Sequence, residues 1–234
     1  MPSCLLTPAI LEQPHTAREY LDWAKSLVTC VKSGPDGLRQ IRLRTGISKQ
    51  LIEEVLPIGL FASRYFERSP EVEIALKVGN QSYDAIVRDV RVKSSGIEYL
   101  EVTMASEGEL DYLRMLKLNE SGQVSGLGRV TKRGTKKTGL AVGVELEVVS
   151  QQTILEKESR IISEAIERKL GKSYADSTAL IIAFDDSMSY DRSDNQMNIK
   201  SVLQQYEKKL RLFHTVAVVG LVQTLFLLWE RDAP

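Results

Sequence analysis

The chain has 234 residues, with 31 Lys plus Arg set against 31 Asp plus Glu. That length can bury a substantial core, and the apolar and charged fractions are those of a globular protein rather than a disordered or fibrous one. Zero net charge excludes a global electrostatic pull toward nucleic acid or an anionic membrane, so any such surface has to be a local patch.

Thr16 followed by Glu19 reads as a capping box. Tyr20, Trp23, Leu27 and Val31 then recur at helical spacing until Ser33-Gly34-Pro35 stops the helix. A short second helix is expected from Pro35 to Thr45. A third, carrying Leu51, Ile52, Val55, Leu56 and Leu60, follows Ser48 and is kinked or split by Pro57. Val72, Ile74, Leu76 and Val78 then alternate with Glu73, Ala75 and Lys77, the two-residue repeat of a half-exposed strand. Turn signals at Gly79-Asn80 and Ser94-Ser95-Gly96 make an antiparallel meander of three strands, continuing through Tyr83 to Val90 and Ile97 to Met104.

An amphipathic helix from about Glu107 to Asn119 comes next, then a glycine-rich basic stretch and a strand near Ala141 to Val149. Ile154, Ile161, Ile162, Ala165, Ile166 and Leu170 mark a helix ending at Gly171. The unbroken apolar run from Thr178 to Phe184 predicts a strand covered on both faces. A helix from about Met197 to Leu212 and one or two final apolar strands complete the pattern. The expected fold class is mixed α/β, with a central mixed sheet containing the meander and flanked by helices. Residues 1–46 form an N-terminal helical segment packed on a core of residues 47–234.

Cys4 and Cys30 make neither a disulfide framework nor a metal-ligand spacing, and read as small reduced apolar residues. No secretory leader is expected. Val216 to Trp229, interrupted by Gly220 and Gln223, is too short to span a bilayer. These readings predict a cytoplasmic protein with no membrane partner.

Chemistry is best sought at Asp84, on the second meander strand, and Glu101, on the third. Two carboxylates on neighbouring strands repel unless something positive lies between them, and a divalent metal is one solution. Pairing of each carboxylate with a nearby Arg or Lys is the other. An acidic helix (Glu53, Glu54), three meander strands, Tyr83-Asp84-Ala85 on the second and Leu100-Glu101-Val102-Thr103 on the third resemble the PD-(D/E)xK, or restriction-endonuclease-like, phosphodiesterases. The helix ending at Gly171 and the strand from Thr178 follow in the same order.

That resemblance implies that Asp84, Glu101 and the carbonyl of Val102 ligate Mg²⁺ or Mn²⁺, with Glu54 or Glu53 adding a water-mediated contact. It implies a nuclease-like activity on DNA or RNA. Thr103 stands where the family has its catalytic lysine and carries no charge. Lys77, Arg88, Arg114 and Lys117 are the substitutes considered from sequence. A non-catalytic binding or scaffold protein on the same fold is the alternative. The run from Glu101 to Ala105 also resembles uncharacterised bacterial proteins, which implies no function.

Arg129, Lys132, Arg133, Lys136 and Lys137 fall within nine positions, interleaved with glycine. They read either as a basic loop that tracks a phosphate backbone beside the metal site or as an ordinary solvated loop. Asp185 and Asp186 follow a buried strand, a position used both by active sites, as in a small-molecule enzyme, and by loop caps. His15 is expected to be exposed, and His214 to be a hydrogen-bonded residue rather than a ligand.

Overall fold

A computed structural model describes residues 6–124, 128–135, 139–189, 192–222 and 225–231. Its centre is a seven-stranded mixed sheet in the order β1-β2-β3-β4-β7-β8-β9. The strands are β1 (His15–Thr16), β2 (Val72–Leu76), β3 (Ala85–Asp89), β4 (Tyr99–Ala105), β7 (Thr178–Phe184), β8 (Thr215–Gly220) and β9 (Phe226–Glu230). The expected meander is β2–β3–β4, antiparallel throughout. β4, β7 and β8 run parallel, and every residue of β7 and β8 is buried, as expected of parallel strands covered on both faces.

One face of the sheet packs α2 (Tyr20–Ser33) and α5 (Leu56–Tyr65) against Ile74, Leu100, Val102 and Ile181. The other packs α7 (Gln151–Leu170) and α8 (Arg192–Leu210) against Leu180, Ile182, Phe184 and Val218. Ser150 caps α7 by accepting from the Thr153 N–H at 3.2 Å. The helix ends on Arg168 and Lys169, cations suited to the negative end of its dipole.

Several expectations need correction. Thr16 is not an N-cap: it lies in β1, which pairs with β2, and its hydroxyl bonds the Glu19 carboxylate at 3.2 Å while α2 starts at Tyr20. His15 is half-buried, stacked on Trp23 with ring centroids 4.1 Å apart. Pro57 does not split its helix. A π-helical turn (Leu51–Val55) joins α4 (Ser48–Gln50) to α5, and the Leu56 N–H reaches the Leu51 carbonyl five residues back. Pro57 has no N–H to give the carbonyl of Glu53, so an ordinary α-helical ladder could not be complete here.

The basic stretch is also more ordered than a loop. It contains β5 (Val130–Thr135) and β6 (Gly139–Val144), an antiparallel hairpin that follows α6 (Glu109–Ser121), and residues 145–149 are not strand. Cys30 is disulfide-bonded, not reduced. Among the described residues no helix is long and apolar enough to cross a membrane.

Candidate functional site

The third meander strand alternates between the two layers. Leu100 and Val102 face α2 and α5, so Glu101 and Thr103 face α7. β3 pairs with β4 through Ala85↔Leu100 and Ile86↔Tyr99, which brings Asp84 to the Glu101 side of the sheet.

Asp84 lies one residue outside β3, and its own groups extend the pairing. Its N–H donates to the Leu100 carbonyl at 2.8 Å, and its carbonyl accepts from the Lys77 N–H at 2.8 Å. Its Oδ2 accepts from the Val102 N–H at 2.6 Å. A strand residue directs its N–H and C=O to the same edge, so the Val102 carbonyl faces the edge occupied by the Asp84 carboxylate.

Glu101 is 4 % exposed, which makes a charged partner necessary. Lys169, in the last turn of α7, supplies it with Nζ 2.6 Å from Oε1. Lys172 Nζ stands 4.0 Å from the same oxygen, and the Tyr174 hydroxyl donates to it at 3.5 Å. All three contacts fall on Oε1. Among the described residues, Oε2 of Glu101 and Oδ1 of Asp84 receive no hydrogen bond or ion pair. Each carboxylate thus keeps one oxygen for a further ligand.

The two adjacent glutamates of the π-helical turn separate in role. Glu53 pairs with Arg44 at 3.2 Å and with Lys49 at 3.9 Å. Glu54 is half-buried, and burial, then the charges of Asp84, Glu53 and Glu101, push its carboxyl up to about 7. Burial and the Glu101 charge push Asp84 up to about 6, against the opposing pull of the Val102 N–H, Lys169 and Lys172. Three acids therefore share one field, and two of them hold protons well above the usual carboxylate range.

None of the cations considered from sequence takes the lysine's place. Arg114 is buried elsewhere, bound to Glu107 at 2.7 Å and Asp111 at 3.2 Å. Lys117 lines a cavity with Ser121, Gln123 and Val144. The cations that act most on Asp84 are Lys169 and Lys172, not Lys77 or Arg88. Thr103 is buried beside Ile182 of β7 and brings only a hydroxyl to the face of Glu101. Lys169 was missed, yet it left a signal. It follows Ile162, Ala165 and Ile166 at helical spacing, a lysine on the apolar stripe of α7.

The basic hairpin is not rooted beside the carboxylates. Arg114 of α6 reaches the Gly128 carbonyl at 3.4 Å, and Glu107 pairs with Lys157 at 2.8 Å and Arg160 at 2.9 Å. Those α7 residues lie nine to twelve positions before Lys169, or about 14–18 Å along the helix axis. Arg129, Lys132 and Arg133 are exposed there, with Lys132 paired to Glu109 at 2.5 Å. Lys136 and Lys137 lie outside the described residues.

Asp186 is a structural clamp. It is fully buried, and its carboxylate accepts from the N–H groups of Val222 at 2.7 Å and Leu225 at 3.1 Å. Asp185 accepts from the Ser187 N–H at 2.9 Å, an ordinary loop cap. His214 sits 3.2 Å from the Thr215 hydroxyl.

Among the described residues no group of three or more His, Cys, Asp or Glu side chains is gathered as a metal cage. Asp84 and Glu101 are a pair, the number of carboxylates that Mg²⁺ ordinarily takes along with waters and substrate oxygens. No family model, curated protein or solved structure matches the chain.

Proposed function

We propose that this chain is a divergent metal-dependent nuclease-like protein acting on nucleic-acid phosphodiesters. One observation carries the reading: Lys169 Nζ stands 2.6 Å from Glu101, on the sheet face shared with Asp84. A carboxylate pair with a free oxygen on each member, a backbone carbonyl alongside and a cation in contact is a donor set suited to Mg²⁺ or Mn²⁺ and a phosphate.

In this reading Asp84, Glu101 and the Val102 carbonyl hold the metal, and Glu54 contacts it through water. A bound metal would lower the pKa of a water and stabilise negative charge on the phosphate. Lys169 takes the role that Thr103 cannot fill, aligning the attacking water and offsetting charge on the phosphoryl oxygens. The element order of the PD-(D/E)xK resemblance supports the same reading, since β7 follows α7 and lies parallel to β4. Arg129, Lys132 and Arg133 would bind backbone phosphates at a distance from the reacting one. The cytoplasm suits such substrates, although the disulfide at Cys30 is more usual in oxidising compartments.

The test is incubation with DNA and with RNA in Mg²⁺ or Mn²⁺, comparing the native chain with Asp84→Asn, Glu101→Gln and Lys169→Met. Cleavage by the native chain that is lost in all three is expected. Cleavage surviving Asp84→Asn and Glu101→Gln would remove the site. Salt-sensitive binding with neither Mn²⁺ uptake nor cleavage would instead establish the non-catalytic scaffold.

A further inference from the structure

The face of β4 that carries Glu101 also carries Tyr99, two residues earlier and about 6.4–6.8 Å back along the strand. Pairing with β3 sets Tyr99 against Ile86, on the side of the sheet that Asp84 reaches. Tyr83, next to Asp84 in the chain, lays its ring against that of Tyr99, with centroids 4.7 Å apart and planes tilted by 39°. Two tyrosine rings in contact thus flank the carboxylate pair.

Core packing does not account for them. Tyr65, Tyr174 and Tyr206 pack against the hydrophobic cores of the two sheet faces, whereas Tyr83 and Tyr99 belong to neither and stay half-buried. A cross-strand aromatic contact stabilises only modestly, and this one leaves part of its apolar surface in water beside charged groups. Those charges suit a phosphate. Lys169 is held by Glu101 at 2.6 Å, but the side chain of Lys172 is 56 % exposed and comes no nearer than 4.0 Å.

Aromatic faces beside cations are how proteins hold unpaired nucleotides, the base stacking on a ring while the backbone meets the charge. A base inside a duplex is already stacked on its neighbours and offers only its edges in the grooves. A ring platform therefore selects strands whose bases are free.

We propose that Tyr83 and Tyr99 form a stacking platform for a base next to the reacting phosphate, which makes single-stranded nucleic acid the substrate of the Asp84–Glu101 site. The proposal rests on the reading of that site as acting on nucleic-acid phosphodiesters. It adds the strandedness of the substrate and the two residues that select it. Every base has a face to stack, so the platform implies little sequence preference.

Binding is measured in EDTA for a short single strand (DNA and RNA in separate arms, which tell the two sugars apart), the same sequence as a duplex, and its abasic backbone. The proteins are the native chain, Tyr99→Phe and the double variant Tyr83→Leu with Tyr99→Leu, each shown to be folded by its melting transition. The native chain should bind the single strand about tenfold or more tighter than the duplex or the abasic backbone. The double leucine variant should lose about tenfold to a hundredfold for the single strand, with duplex binding and Mn²⁺ affinity near native. Tyr99→Phe keeps the ring and should bind as the native chain does. Equal native affinity for single strand, duplex and abasic backbone would overturn the platform, as would a folded leucine variant that binds single strands like the native chain. Mn²⁺ uptake and cleavage would still report on the metal site in either case. A native chain that binds none of the three would overturn the nucleic-acid reading and the platform together. Tyrosine-dependent preference for single strands without Mn²⁺ uptake would overturn the metal site and keep the platform as a binding surface.

Discussion

Lys169 on α7 and Glu101 on β4 meet at 2.6 Å although 68 positions separate them in the chain. Their side chains are 14 % and 5 % exposed, so both charges have given up most of their hydration. A hydrophobic pair would fill the same space with no such desolvation cost, which makes stability a weak reason for the pair to exist. The contact has a stronger rationale as chemistry, since it sets a cation at a carboxylate that has an oxygen to spare.

Lys169→Met should therefore lower cleavage about 10²- to 10³-fold, the range for loss of one transition-state donor, while Mn²⁺ affinity stays near native. Thr103 lies two residues beyond Glu101 on the same face of β4. Thr103→Lys combined with Lys169→Met should recover part of the rate. Single-turnover cleavage at saturating metal measures both effects, and a Lys169→Met protein as fast as the native chain would end the assignment of Lys169.

Metal uptake should depend on pH because the ligands must lose protons first. With Asp84 held up to about 6 and Glu54 up to about 7, Mn²⁺ affinity should rise as pH increases through that window and level off above it. Stability without metal runs the other way. These raised carboxyls bind more protons folded than unfolded, so stability falls as pH rises from the ordinary carboxylate range toward about 7. Asp84→Asn should accordingly raise the metal-free melting temperature at about pH 8 and leave it unchanged at about pH 4. Titration calorimetry and melting curves across pH check both directions.

Much of this site was legible in the chain, for identifiable reasons. Val72 to Val78 alternates cleanly because β2 is covered on one face, and the unbroken run from Thr178 to Phe184 marks a strand covered on both. Asp84 and Glu101 stood out as acids inside such patterns. What stayed hidden came from distant parts of the chain. Lys169 reaches Glu101 only because α7 packs across β4, and neither residue signals the other locally. The π-helical turn at Leu51–Val55 was hidden too, since Pro57 allows a kink, a break or a wider turn, and packing chooses among them. Thr16 and Glu19 carry a capping signature that pairing of β1 with β2 overrode.

The hairpin should contribute affinity rather than rate. Lys132→Glu with Arg133→Glu should weaken nucleic-acid binding and reduce the salt dependence by about one phosphate contact per residue. Because Lys132 pairs with Glu109, and the nearby Glu107 meets α7 at Lys157 and Arg160, about 14–18 Å before Lys169 along the helix, Mn²⁺ affinity and the single-turnover rate at saturating substrate should not change. Binding isotherms at several salt concentrations test this, and an unaltered slope would return the hairpin to ordinary solvated surface.

Asp186 should prove essential to folding and irrelevant to metal. Asp186→Ala would leave the N–H groups of Val222 and Leu225 without their acceptor, and Leu225 is buried. An unsatisfied buried donor costs about 1–3 kcal/mol, and Val222 is exposed enough to turn to water, so a loss of about 1–3 kcal/mol is expected. Gly220 depends on the same arrangement: a Cβ there would come 2.0 Å from Oδ2 of Asp186, so Gly220→Ala must displace the clamp and should destabilise to a similar degree. Urea unfolding of both variants, with Mn²⁺ affinity measured under native conditions, separates the possibilities. A stable Asp186→Ala protein that has lost activity would move the chemistry to the end of β7, away from Asp84 and Glu101.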